Sequence, residues 1–314
     1  MAQSSDPSFE RPFVSFVAAF ARYQAVRHRL PEAVFPEGFT QAPGLREIAD
    51  GFDVFVFDAF GVLNVGETPI AGACDCVAAL RALGKRVFVL TNAASFDMPS
   101  SVAKFEKLGF DFKAEEIVTS RQAAEAAVAG MPVRGWAAAT VDDTPVVFND
   151  DELPVLGDDP EAYRNAGGFI LLSSGIWTAQ RQALLEAALR EHPRPVVVGN
   201  PDLVAPREDG LSVEPGWYGH QVADACGVGV AFHGKPFPSV YKIVSERLRG
   251  TGALPADARR IAMIGDTLHT DILGGAAAGW STVLVSDHGF FAGRDVSGFI
   301  AETGIVPDWI VPSI

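Results

Sequence analysis

Asp58 ends a short apolar run, Asp53-Val-Phe-Val-Phe57, and Gly61 follows three residues later. Such a run reads as a parallel strand covered on both faces, which sets the carboxylate at the strand's carboxyl end. Ligands of open α/β sheets bind along that edge, and a glycine just beyond it lets the backbone turn away and leave the acid accessible. An acid so placed is a candidate nucleophile. Taken alone, it reads rather as the cap of the next turn, but three other segments repeat the pattern of an apolar run with a polar tip. Arg86-Val-Phe-Val-Leu90 runs into Thr91-Asn92, whose hydroxyl and amide can bind anionic oxygens. Ile261-Ala-Met-Ile264 runs into Gly265-Asp266-Thr-Leu-His-Thr-Asp271, with Thr270 and Asp271 placed to open a helix through Gly274. Between them, His233-Gly-Lys235-Pro-Phe-Pro brings a lysine just before a helix that starts on proline. Three carboxylates converging without a cation would push at least one pKa upward, so the acids themselves call for a metal.

This ordered set of Asp, Thr, Lys and paired Asp on successive strand ends resembles the four motifs of the haloacid dehalogenase (HAD) superfamily. Further segments narrow the resemblance to the phosphatase branch with a large α/β cap, which includes p-nitrophenyl and sugar-phosphate phosphatases. They are Leu90-Thr-Asn-Ala-Ala-Ser95, Lys107-Leu-Gly109, Glu116-Ile-Val-Thr-Ser120, Gly199-Asn-Pro-Asp202, Gly234-Lys-Pro236 with Tyr241, and the stretch from Gly265-Asp266 through Ala278-Gly279 to Thr282-Val-Leu-Val285. The resemblance spans residues 45–290 and is weak in the middle of the cap.

What the resemblance implies is a hydrolase of small phosphorylated metabolites. Asp58 would attack phosphorus and form an aspartyl-phosphate, which water then hydrolyses. Mg²⁺ would be held by Asp58, the backbone carbonyl of Phe60 and Asp266, with Asp271 acting directly or through water. Lys235 would neutralise the transferring phosphoryl group, while Thr91 and the backbone N–H groups near Asn92 bind its oxygens. A cap loop over residues 200–210, containing Asn200, Asp202, Arg207 and Glu208, would select the leaving group, and Arg207 could read an anionic group there.

Phe60 departs from the phosphatase pattern. Two residues after the nucleophile those enzymes carry a second Asp, which protonates the leaving alkoxide and later activates water; a phenyl ring does neither. General acid–base catalysis contributes roughly 10²- to 10⁴-fold, so its loss would slow the enzyme without abolishing the covalent step. Two other readings stay open: a catalytically degenerate phosphoester-binding or regulatory protein, and a dehalogenase-type hydrolase, whose halide leaves without a proton. His220, His233 and His269 are candidate stand-ins for the missing acid.

Composition bounds the rest. The 314 residues suit two domains or one with a large insertion, and 48% hydrophobic with 20% charged residues is ordinary for a globular protein. Acidic residues exceed basic ones by 39 to 25, a formal charge of −14, which argues against nucleic-acid and anionic-membrane partners. Cys74, Cys76 and Cys226 form no disulfide framework or zinc site, and free thiols suit a reducing cytoplasm. The apolar stretch 14–21 is flanked by Asp6 and Glu10 where a signal peptide would be basic, and no stretch reaches the roughly 18–20 residues that span a bilayer.

The elements that must position these groups follow an α/β alternation. The expected fold is a Rossmann-like parallel-sheet core with an inserted α/β cap and an N-terminal helical extension. The extension covers 1–44, the core 45–130 and 230–314, and the cap 131–229. In the extension, Phe13, Phe16, Val17 and Phe20 recur at helical spacing after Pro12, and that apolar face is expected to dock on the core, with a homodimer contact as the alternative. The strand at 230–232 is expected to reopen the core.

Overall fold

The structure is a computed structural model describing residues 12–207 and 209–314. Its main sheet has seven strands in the order Thr40–Gln41, Trp309–Val311, Ser281–Val285, Ile261–Gly265, Val54–Phe57, Arg86–Thr91, Ile117–Thr119. Every pairing is parallel. Val54–Phe57 is buried throughout because helices cover both faces of the sheet. Alternation along the strand sends Phe55 and Phe57 toward the helix Ala73–Ala82, with Val77 and Leu80. Val54 and Val56 point oppositely, toward Tyr241 and Val244 of the helix Pro238–Gly250.

The chain first winds from Val54–Phe57 outward through Arg86–Thr91 to Ile117–Thr119. It later returns on the other side at Ile261–Gly265 and winds the opposite way. The central strands therefore flank a topological switch point, where a crevice opens at the carboxyl ends. Register does the rest: Phe57 pairs with both Ile264 and Val89, which brings Asp58, Thr91 and Asp266 to one edge.

Inserted between these halves is a second parallel sheet in the order Val230–Phe232, Val196–Val198, Gly168–Leu171, Trp136–Ala139. Val230–Phe232 thus belongs to the cap rather than to the core, as a correction to the expected boundary. It pairs with Val196–Val198, and a three-residue apolar run carries no mark of which sheet it will join. The core resumes at His233–Lys235. Thr40–Gln41 and Trp309–Val311, absent from the expected elements, extend the core sheet at one edge.

The N-terminal helix begins later than expected. Phe13–Val14 is a short strand paired with Gly210–Val213 of a cap hairpin, and the helix runs over Phe16–Val26, where Ser15 accepts a hydrogen bond from the Ala18 N–H at 3.2 Å. Its buried face is Ala19, Phe20, Tyr23 and Val26, while Val17 is 74% exposed. That face docks on the core, against Leu268, Ile272, Phe290 and Phe291. Residues 1–11, including Asp6 and Glu10, and Glu208 of the cap loop lie outside the described residues. Among those described, no helix is long and apolar enough to cross a membrane.

Candidate active site

Asp58 leaves its strand with its N–H donating to the Ile264 carbonyl at 2.8 Å, and the Ala59 N–H donates to its Oδ1 at 2.6 Å. The backbone then turns at Gly61 with φ of +81°. A Cβ on Gly61, or on Gly289 at φ +72°, would run into the Asp266 carboxylate, so both turns need glycine for conformation and for space. Asp266 is held at both oxygens, by the Thr267 hydroxyl at 2.9 Å and the Phe290 N–H at 2.7 Å. Asp271, in a π-helical turn over Leu268–Ile272, accepts from the Thr267 N–H at 3.1 Å. Lys235 is buried and reaches two of the three acids: its Nζ bonds Asp58 Oδ1 and lies 2.8 Å from Asp271 Oδ1.

Asp58, Asp266 and Asp271 each offer an oxygen, and these atoms all lie within 4.8 Å of one another. Burial pushes the Asp58 carboxyl up to about 7, against the pull of Lys235 and with the help of Asp271. Burial likewise carries Asp266 well above the carboxylate range, aided by Asp271 and Asp58. Burial also opposes the charge of Lys235, yet Asp271, Asp58 and Asp202 outweigh it and hold the ammonium above the usual lysine value. Three convergent hard oxygen donors with this much uncompensated negative charge fit a small divalent cation such as Mg²⁺.

Of this cluster Asp58 lines a cavity of about 260 Å³ between core and cap. Larger clefts of about 870 and 700 Å³ lie elsewhere, but neither is lined by any of the converging acids or by Lys235. Thr91 lines the cavity, and its hydroxyl accepts from the Ala93 N–H at 3.2 Å. Asn92 also lines it, yet its side chain is committed as a brace. Oδ1 accepts from the Lys235 N–H at 2.7 Å, and Nδ2 donates to the Lys235 carbonyl at 2.9 Å and to Asp202 at 2.8 Å. Any phosphate contact from this residue is left to its backbone.

From the cap come Asn200, Asp202 and Arg207. Asn200 Nδ2 donates to Glu214 at 3.3 Å, and its Oδ1 accepts from the Asp202 N–H at 3.0 Å. Burial pushes Asp202 up to about 8, against Lys235. Arg207 stands over the Phe60 ring, 5.0 Å from its centroid. Lys104 stands over the same ring at 4.1 Å. Sequence reasoning missed Lys104, because a lysine on the amphipathic helix Met98–Lys107 reads as a solvated charge.

None of the three histidines lines this cavity. His220 stacks on Phe232, His233 contacts Ser239, and His269 stacks on Tyr23 and bonds Gln24 at 2.9 Å. Burial lowers His220 and His269 to about 3.

Comparison with known proteins agrees with this geometry. A family model for haloacid dehalogenase-like hydrolases matches residues 55–143, and a HAD-hydrolase-like model matches residues 232–314. The chain is 29% identical to the human glycerol-3-phosphate phosphatase over 83% of its own length and 88% of that protein's. A solved structure from Cytophaga hutchinsonii, described as a possible sugar phosphatase of the HAD superfamily, superposes with a TM-score of 0.74 at 25% identity, covering 88% of this chain and 98% of that one. The fold is shared as well by a glycerol phosphate phosphatase of Mycobacterium tuberculosis solved with magnesium, at a TM-score of 0.62, 24% identity, and coverage of 85% and 76%. With Asp58, Thr91 and Asp266 at adjoining strand ends, Lys235 against Asp58, and two family matches that together cover most of the core, the chain belongs to the haloacid dehalogenase-like hydrolases.

Proposed function

We propose that the chain is a Mg²⁺-dependent hydrolase of small phosphate monoesters that works through an aspartyl-phosphate on Asp58. The observation that carries this reading is the contact of Lys235 with both Asp58 and Asp271 inside the acidic cluster, because it holds a nucleophile and a phosphoryl-neutralising cation at one point. Asp58, Asp266 and the Phe60 carbonyl would hold the cation, with Asp271 direct or through water. When bound, the cation offsets the repulsion between carboxylate and phosphate dianion. Asp58 Oδ attacks phosphorus as the ester oxygen departs, Thr91 and the backbone near Asn92 hold the phosphoryl oxygens, and Lys235 balances their charge. Relatives named glycerol-3-phosphate phosphatase and acid sugar phosphatase support the ester class.

Phe60 cannot protonate a leaving group as an acid at that position would, so esters with good leaving groups are expected to turn over best. Hydrolysis of p-nitrophenyl phosphate tests the reading: it should require Mg²⁺ and fall at least about 10³-fold in Asp58→Asn. Full activity of that variant would exclude Asp58 as the nucleophile.

A further inference from the structure

Lys104, from the core helix, and Arg207, from the cap strand Val204–Arg207, share the Phe60 ring as a common neighbour at the mouth of the cavity. They come from different domains and meet only across the reacting end of the site. Arg207 is oriented by the cap itself: Nε donates to the Ser212 hydroxyl at 3.2 Å and Nη2 to Glu214 Oε1 at 3.2 Å, while Nη1 has no hydrogen-bond partner among the described residues. Lys104 Nζ has no carboxylate oxygen within ion-pairing distance among the described residues. Glu67, which also lines the cavity, is the largest influence of opposite sign on Lys104, with Asp58 a smaller one, and the Glu67 side chain is 65% exposed and lies 3.7 Å from Lys107. Buried Glu214 pairs with Arg207, and both Arg207 and Lys104 line the cavity where a leaving group must sit.

We propose that Lys104 and Arg207 form a cationic leaving-group subsite, so that the preferred substrate is a small phosphate monoester whose leaving group carries a carboxylate. The inference rests on the phosphatase reading above and adds the substrate class. The free edge of a guanidinium presents planar donors suited to a carboxylate, and the lysine adds a point charge. A cavity of about 260 Å³ leaves room for a small leaving group, up to about one substituted ring, beyond the phosphoryl group. The Phe60 ring stands where a second acid would repel such a substrate and adds no negative charge of its own to a cavity that Glu67, Asp202 and Glu214 also line.

The test compares 3-carboxyphenyl phosphate with 3-carbamoylphenyl phosphate in the full-length Mg²⁺-loaded protein. The two phenols differ little in leaving ability, so the ratio of the two rates does not depend on the missing acid. The carboxamide is the more electron-withdrawing group, which biases the chemistry against the expected result. The wild type is expected to favour the carboxylate ester by about ten- to a hundredfold in kcat/KM. Lys104→Met, which keeps the packing on Phe60, and Arg207→Gln should each cut that ratio, and Lys104→Arg should restore most of it. Equal hydrolysis of both esters by the wild type would overturn the subsite and leave the phosphatase reading standing, as would a preference that survives both Lys104→Met and Arg207→Gln. Hydrolysis of neither ester would overturn the phosphatase reading, and the subsite with it.

Discussion

At the scale of single residues, the site is a contest between charge and space. Asp58, Asp266, Asp271 and Lys235 are legible in the sequence because each comes after an apolar run; the core sheet's register brings Asp58 and Asp266 together, whereas Lys235 follows a cap strand and Asp271 a turn beyond its own strand. The brace made by Asn92 is not legible: an amide after Thr91 reads as a phosphate binder until its partners on Lys235 and Asp202 are seen. Gly289 is equally silent in sequence, since nothing marks it as the neighbour of an acid 23 residues earlier. Its positive φ and the Asp266 carboxylate against it make Gly289→Ala a specific probe. The added methyl should displace that carboxylate and weaken Mg²⁺ binding by about tenfold or more, read by calorimetric titration. Unchanged Mg²⁺ affinity in a folded Gly289→Ala protein would remove Asp266 from the metal site.

At the scale of elements, the N-terminal segment does more than cover the core. Phe13–Val14 adds a strand to the cap hairpin that carries Arg207, the Leu203 N–H donates to the Tyr23 hydroxyl at 3.3 Å, and the rest of the helix packs on the loop after Asp266. Arg22 and Arg29 add ion pairs to Asp224 of the cap at 2.8 and 2.7 Å. Burial decides which of these matters most. Phe20 is 7% exposed in a cluster of aromatic rings, and Phe20→Ala should lower the unfolding free energy by about 3–5 kcal/mol. Asp224 is half-exposed, and Asp224→Asn should cost about 1 kcal/mol or less. Denaturant unfolding of the two variants checks the ranking, which would reverse if the ion pairs held the segment in place. Phe13, Phe16, Val17 and Phe20 suggested this docking from their spacing, but the stripe they define is displaced. Ser15 caps the helix two residues after Phe13, so Val17 turns to solvent and Tyr23 takes its place inside.

Across the whole molecule, the alternation of strands and helices was readable because a parallel sheet buried on both faces leaves unbroken apolar runs. Edges were not readable. Thr40–Gln41 is two polar residues recruited by Trp309–Val311, and Val230–Phe232 could have completed either sheet. The packing of cap, extension and core also sets a pH response. His220 stacks on Phe232 beneath the N-terminal helix, and burial lowers its pKa to about 3, with Arg22, Arg29 and His28 pushing the same way and Asp224 opposing. In the unfolded chain it titrates near 6.5, so below that pH the unfolded state gains a proton that the folded state refuses. The stability it contributes is present above about pH 6.5 and is lost as pH falls toward 3, by up to about 1.4 kcal/mol per pH unit. Between pH 7 and pH 5, the wild type should lose about 1–2 kcal/mol more than His220→Gln in urea unfolding. Equal losses would mean that this imidazole takes up its proton in the folded protein over the same pH range as in the unfolded chain.

The most direct test of the proposed chemistry is how kcat/KM depends on the leaving group, measured with Mg²⁺ across aryl and alkyl phosphates for wild type and Phe60→Asp. A site that transfers phosphoryl to Asp58 without a proton donor should hydrolyse p-nitrophenyl phosphate far faster than alkyl esters. Restoring an acid at position 60 should raise the alkyl esters by a substantial part of the roughly 10²- to 10⁴-fold that general acids supply, with a much smaller gain on the aryl ester. A folded, metal-binding Phe60→Asp protein that gains equally on both ester classes, or on neither, would contradict it.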